Sequence, residues 1–133
     1  MLRRSRGFTL VDTLVACAVT GVLATVALPS YREQVVKSRR ADAVAALTRV
    51  QAAEERLRAD HGLYTDRFET LRVGQRSEQG WYALAVELDG PDGYRVTATA
   101  VDAQAGDAEC PRLALAVANG FATIAPSARC WNR

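Results

Sequence analysis

Few side chains in this sequence are placed to do chemistry, and the most telling is Asp12. It is the single charge in a largely apolar run from Phe8 to Leu28. A lone acid in such a run costs roughly 2.5–3.5 kcal/mol in lipid, so it normally persists because a partner awaits it. Three cysteines divide into Cys17, inside that run, and Cys110 and Cys130 near the end. In an exported protein the distal pair reads as a disulfide, and closing a loop of about 20 residues contributes roughly 3 kcal/mol in the chain-entropy description. Metal binding has less to support it, because no second Cys or His stands at ligand spacing and His61 is the only histidine. Asp89, Asp92 and Asp102 lack the spacing of a calcium loop, and turn chemistry explains them as well. No Ser-His-Asp, paired-carboxylate, phosphate-loop or zinc pattern stands out, and a single His leaves no acid–base pair. The expectation is a protein that is not an enzyme and holds no cofactor or metal.

The elements that must position these groups follow from periodicity. Residues 8–28 suffice to span a bilayer as a helix. From Ser30 to about Asp60 no Gly or Pro intervenes, and Val36, Ala43, Leu47, Val50 and Leu57 recur at spacings of seven, four, three and seven, one apolar stripe. The two parts are expected to form one helix of about 53 residues, roughly 80 Å long, loosened at Pro29, which lacks an amide donor, with help from Gly21. Glu54 with Arg58, and Arg56 with Asp60, read as i,i+4 pairs on its solvated face. Gly62 is expected to stop the helix, followed by a loop to about Gly80.

Strand patterns then begin. Tyr82, Leu84, Val86 and Leu88 alternate with smaller or polar residues, and so do Tyr94, Val96, Ala98 and Ala100, with the turn Asp89-Gly90-Pro91-Asp92-Gly93 between them. A third strand is expected over residues 112–117, and Asn119-Gly120 signals a hairpin into residues 121–124. The fold class is therefore α+β: a long amino-terminal helix, membrane-spanning in its first half, packed on a four-stranded antiparallel sheet. At 133 residues there is room for one small head beside the apolar segment.

The words Arg6-Gly7-Phe8-Thr9-Leu10-Val11-Asp12 resemble the class III leader of type IV prepilins. Gly21 and Pro29 fall where that family carries a Gly and a Pro. Pro29-Ser30-Tyr31, Arg39-Arg40-Ala41-Asp42-Ala43 and Tyr64-Thr65 look like its usual wording. Gly80-Trp81-Tyr82-Ala83-Leu84-Ala85-Val86, residues 94–100, Cys110, Leu113-Ala114-Leu115 and Cys130-Trp131 resemble the PilE-like minor pilins. The resemblance implies the pilin fold and a division into a leader (1–7), a transmembrane and filament-core helix (8–29) and a globular head (30–133). It implies cleavage after Gly7 by a prepilin peptidase and N-methylation of the new terminal Phe8. It also implies a role for Asp12, in place of a family Glu, in pairing with the freed amino group of Phe8 in the same or a neighbouring subunit. Asp is one methylene shorter, a loss of about 1.5 Å in reach.

On this reading the chain is a type IV pilus subunit of the minor class, held in the inner membrane by a single pass with its leader in the cytoplasm and its head in the periplasm, then assembled into the extracellular pilus. Its partners would be other pilin subunits, the prepilin peptidase and the inner-membrane assembly machinery. The alternatives are a DNA-binding competence pilin and a type II secretion pseudopilin. In the former, Arg112, Arg129 and Arg133 would meet phosphates, but global charge gives no support: the formal +2 rests on 17 basic and 15 acidic side chains, and loss of Arg3, Arg4 and Arg6 with the leader leaves 14 against 15. Two other readings of the amino terminus stay open. Leu14-Val15-Ala16-Cys17 fits a lipoprotein signal, opposed by Asp12 before the Cys and the apolar run after it. Thr25-Val26-Ala27 fits an ordinary signal-peptide cut that would leave a domain starting at Leu28. Arg32, Lys37, Arg39 and Arg40 balance the leader arginines across the span, so charge alone does not orient it.

Overall fold

The computed structural model describes residues 7–132. The expected leader, apart from Gly7, and Arg133 lie outside the described residues. Helix α1 spans Leu10–His61, 52 residues with Pro29 inside it. The chain divides into two units, one ending at Val35 and the other beginning at Val36.

In the first unit α1 is long and apolar enough to cross a membrane, and its large side chains, among them Leu10, Val15, Leu23 and Leu28, are exposed. A helix whose large apolar side chains are exposed is built for lipid or for other helices.

The second unit has its own core. Ala43, Ala46, Leu47 and Val50 of α1 are buried, with Val44, Ala53 and Leu57 packed at their margin. Gly62 ends the helix with φ 75°, a left-handed conformation that costs glycine little, while its N–H caps the Arg58 carbonyl at 2.8 Å. The loop that follows is not wholly irregular. A single helical turn, α2 (Phe68–Leu71), buries Phe68 and Leu71 and stops at Arg72, φ 56°; four residues give too short a period to stand out in sequence.

The strands are β1 (Tyr82–Leu88), β2 (Gly93–Ala100), β3 (Arg112–Ala118) and β4 (Phe121–Ala125). They form an antiparallel meander in the order β1-β2-β3-β4. Leu84 pairs with Ala98, Val96 with Leu115, and Leu115 with Ile124. Tyr82, Leu84, Tyr94, Val96, Ala98, Leu113, Leu115 and Val117 join the α1 stripe in one cluster. Asn119 and Gly120 both take positive φ, as the tight β3–β4 hairpin requires. This is the α+β arrangement that the periodicities imply.

One expectation about α1 is corrected. Glu54 is buried, not on a solvated face, and Arg58 turns to Asp92 instead, Nη2 to Oδ1 at 2.5 Å. The helix stripe is wider than the apolar residues that mark it, and the β1–β2 turn brings a better-placed acid to Arg58. Arg56 and Asp60 are both exposed and form no ion pair among the described residues.

At Gly93 a Cβ would meet the Asp89 carbonyl at 2.7 Å and the Val117 carbonyl at 2.9 Å, backbone on both sides. Gly93→Ala should therefore lower head stability by about 1–3 kcal/mol in urea unfolding, although alanine favours strand no less than glycine does.

Candidate functional site

The amino-terminal residues come first along the chain. Gly7 and Phe8 precede α1 and are exposed, Phe8 at 86%. Thr9 is the cap of α1, and Asp12 sits three residues on. The Asp12 N–H donates to Thr9 Oγ1 at 3.2 Å, while Asp12 Oδ2 accepts from the Thr9 N–H at 3.0 Å and from its hydroxyl at 2.7 Å. This reciprocal capping box satisfies helix-end donors that have no intrahelical acceptor and places a negative charge at the positive end of the helix dipole. Sequence reasoning gave Asp12 a partner in a terminal amine and missed this nearer one, for which Thr-x-x-Asp was the available signal. Gly21 and Pro29 lie inside α1, and Cys17 is an exposed free thiol.

The second constellation is at the far end of the chain. Cys110 and Cys130 are bonded, S–S 1.99 Å with Cα atoms 5.7 Å apart, and both are buried. Beside the bridge lies a polar network that the sequence did not announce. Arg40 of α1 reaches Asp107, 67 residues away, through two parallel bonds, Nε to Oδ2 at 2.7 Å and Nη2 to Oδ1 at 2.8 Å. Its Nη2 also meets Glu109 at 3.1 Å, and Glu109 takes Arg129 Nε at 3.0 Å on its other oxygen. Asp107 Oδ1 further accepts the Cys110 N–H at 3.1 Å. Gln104, fully buried, donates from Nε2 to the Tyr82 hydroxyl at 3.0 Å and to the Val36 carbonyl at 3.2 Å. Asn132 donates to the Lys37 carbonyl at 3.3 Å, and Trp131 Nε1 to the Ala125 carbonyl at 3.0 Å.

Electrostatics set the protonation of this network. The Asp107 hydrogen bonds hold the Arg40 guanidinium charged, well above its ordinary value. Burial pushes the Asp107 carboxyl up, but Arg40 and the Cys110 N–H outweigh it and leave it below the usual carboxylate range. A fork-to-fork Arg–carboxylate pair fixes geometry as well as charge, so the arrangement positions a chain segment; it presents no nucleophile and no proton-transfer pair. Asp42, also buried, accepts the Gln79 N–H at 3.2 Å and ties the loop before β1 to the same helix.

Of the three arginines considered for phosphate contact, Arg129 is engaged by Glu109, Arg133 lies outside the described residues, and Arg112 is exposed. Arg112 stands opposite Thr99 on the outer sheet face, beside a shallow depression of about 350 Å³ lined by Glu109, Pro111, Ala114, Ala125 and Pro126. Asp92 and Asp102 are paired with Arg58 and Arg76.

A sequence model of the family described as "Type IV minor pilin ComP, DNA uptake sequence receptor" matches residues 29–114. The chain belongs to this family of type IV minor pilins. Similar pilins include a fimbrial protein of Neisseria meningitidis serogroup B, 29% identical over 84 residues, which are 62% of this chain and 49% of that one. The type IV major pilin PilA of Myxococcus xanthus is 28% identical over 105 residues, 79% of this chain and 43% of its own. PilE of Neisseria gonorrhoeae is 26% identical over 85 residues, 63% and 51%. The chain spans about half the length of the curated relatives it matches. The family match ends at Ala114 and so includes Arg40, Asp107 and Cys110 but not Cys130.

The network makes a measurable claim. Asp107→Ala leaves buried Arg40 only its single bond to part-exposed Glu109 and should lower head stability by about 3 kcal/mol in urea unfolding. The double change Arg40→Met with Asp107→Leu should recover most of that loss, because no buried charge is left without its partner.

Proposed function

We infer that the chain is a type IV pilus subunit of the minor class, stored in the inner membrane through α1 and assembled into the filament with its head displayed. The observation that carries this is the unit before Val36, a helix of exposed apolar side chains with one acid in its first turn, in a chain of the type IV minor pilin family. Prepilin peptidase would cut between Gly7 and Phe8, Phe8 would be N-methylated, and other pilin subunits and the inner-membrane assembly machinery would be its partners.

Asp12 then has two successive tasks. In the precursor its carboxylate is satisfied by Thr9. Cleavage creates an ammonium at Phe8, one residue before that cap, and a charge pair withdrawn from water among apolar helices is strongly coupled to its partner. Pro29 and Gly21 would let the helix loosen as it enters the filament core. Mass spectrometry of the mature protein should find N-methylated Phe8 as its first residue, whereas a terminus at Leu28 or an acylated Cys17 would refute the assignment. Asp12→Ala should leave the head's melting temperature unchanged and reduce recovery in sheared filaments, with Asp12→Glu assembling at least as well as the parent; parental recovery of Asp12→Ala would show that the acid serves only its own helix.

A second reading, DNA capture, is favoured by the family's description as a DNA uptake sequence receptor and by the outer sheet face. There Arg112 opposite Thr99 and Arg95 opposite Ala116 bracket a surface of Thr97, Ala114 and Thr99. Arg95 lies four residues, about 13 Å along β2, from Thr99, the residue opposite Arg112, a span near the ~12 Å width of a DNA major groove. Duplex DNA should bind the purified protein more weakly as salt rises, and Arg112→Ala should lower affinity across sequences and reduce the salt slope by about one. Binding unchanged by that substitution would remove Arg112 from the interface.

A further inference from the structure

Glu54 has no accessible surface at all, on the inward side of α1 between Val50 and Leu57. Its Oε2 accepts one hydrogen bond, from the Thr65 N–H at 3.1 Å. Its Oε1 is buried without a partner. A buried carboxylate with a single neutral donor is among the costliest arrangements in a core. The groups around it do not relieve that cost. From its own helix come Glu55, which accepts the Tyr64 hydroxyl at 3.2 Å, and Arg58. From the loop come Tyr64 and Asp66, and from β2 comes Tyr94, whose hydroxyl is also buried and unpartnered. The Tyr64 and Tyr94 rings meet edge-on at 4.7 Å.

The nearest candidate cation in sequence is spent elsewhere. Arg58 donates Nη2 to Asp92 and Nη1 to the Pro91 carbonyl, and its guanidinium lies over the Tyr64 ring at 4.7 Å. Yet Glu54 and Arg58 stand four residues apart on a helix, a separation at which an exposed Glu and Arg readily pair. Two arrangements of the same side chains therefore compete. In the observed one, Glu54 lies in the core and Arg58 clamps the β1–β2 turn. In the other, Glu54 leaves the core for Arg58, and both the Thr65 contact and the clamp on residues 89–93 are given up.

We propose that Glu54 is a proton-operated latch: protonated, it stays buried and holds residues 62–67 on α1, and ionised, it exchanges the core for Arg58 and frees that segment together with the β1–β2 turn. Only neutral Glu54 suits a dry site with one donor, since its proton removes the charge and turns a stranded acceptor into a donor. Burial, with Glu55 and Asp66 adding to it and the Thr65 N–H opposing, pushes the carboxyl up to about 7 from its ordinary 4.5. The folded head thus holds this proton more tightly than the unfolded chain does. The stabilisation is complete below the ordinary value and is lost as pH rises through about 7.

Hydrogen exchange of the full-length protein in detergent micelles tests this. Protection factors of amides in 62–67 and 89–93, corrected for intrinsic rates, should fall on the order of tenfold between about pH 5.5 and about pH 8, while amides of β3 stay unchanged. Glu54→Gln keeps the acceptor for Thr65 and cannot ionise, so its protection should be high and flat across that range. A parental profile that is itself flat overturns the latch whatever the variant does, and a Glu54→Gln profile that falls like the parent's overturns it too, by assigning the response to another group.

Discussion

The head depends on one ion pair formed across half of the sequence. Arg40 projects from the start of the helix segment that belongs to the head, and Asp107 comes from the connection between β2 and β3. Both are stripped of water, so neither is tolerable there alone. Their union decides where the β2–β3 connection lies on the helix. That connection carries Cys110, and Cys110 holds the chain's carboxy-terminal turn through Cys130. Gln104 adds a second tie from the same connection to the Val36 carbonyl and to Tyr82 of β1. The meander could pack on the stripe of α1 in more than one translation along its axis, because Ala43, Ala46, Leu47 and Val50 present a fairly uniform apolar surface. A bidentate pair has no such latitude.

The architecture was legible because it is written in periodicities. The four strands alternate, the hairpin glycines stand where tight turns need them, and the stripe on α1 repeats. The polar interior was not, and the stripe explains why. Its marked residues leave two gaps of seven, between Val36 and Ala43 and between Val50 and Leu57; Arg40 and Glu54 fill those gaps at spacings of four and three. Both are on the inward face, and reading only apolar types placed Glu54 on the wrong side. Even with the face right, sequence could not supply Asp107 as the partner of Arg40, since nothing local links residues 67 positions apart. The cysteine pair could be read because covalent chemistry offered few choices, whereas the capping box at Asp12 is written in Thr-x-x-Asp and not in the apolar periodicity that marks the rest of the helix.

Asp12 and Glu54 form an instructive contrast within one helix. Each is an acid held by a threonine, Thr9 for one and Thr65 for the other, but Asp12 is exposed and Glu54 is buried. Asp12 receives two donors and the positive end of a helix dipole, which favours a carboxylate. Glu54 receives one donor, two acidic neighbours and no dipole. The same functional group therefore caps a helix at one end and lies in a core at the other.

The stapling of the carboxy-terminal turn to the first residues of the head's helix segment has a mechanical meaning. If the chain enters a filament as proposed, load carried along α1 would reach the head's helix segment at its first residue, Val36. There the Gln104 bond to the Val36 carbonyl, the Asn132 bond to Lys37, the Arg40 pair and, behind them, the disulfide stand within one and a half turns of helix. Such a joint would share traction among several bonds sheared together rather than concentrating it on one.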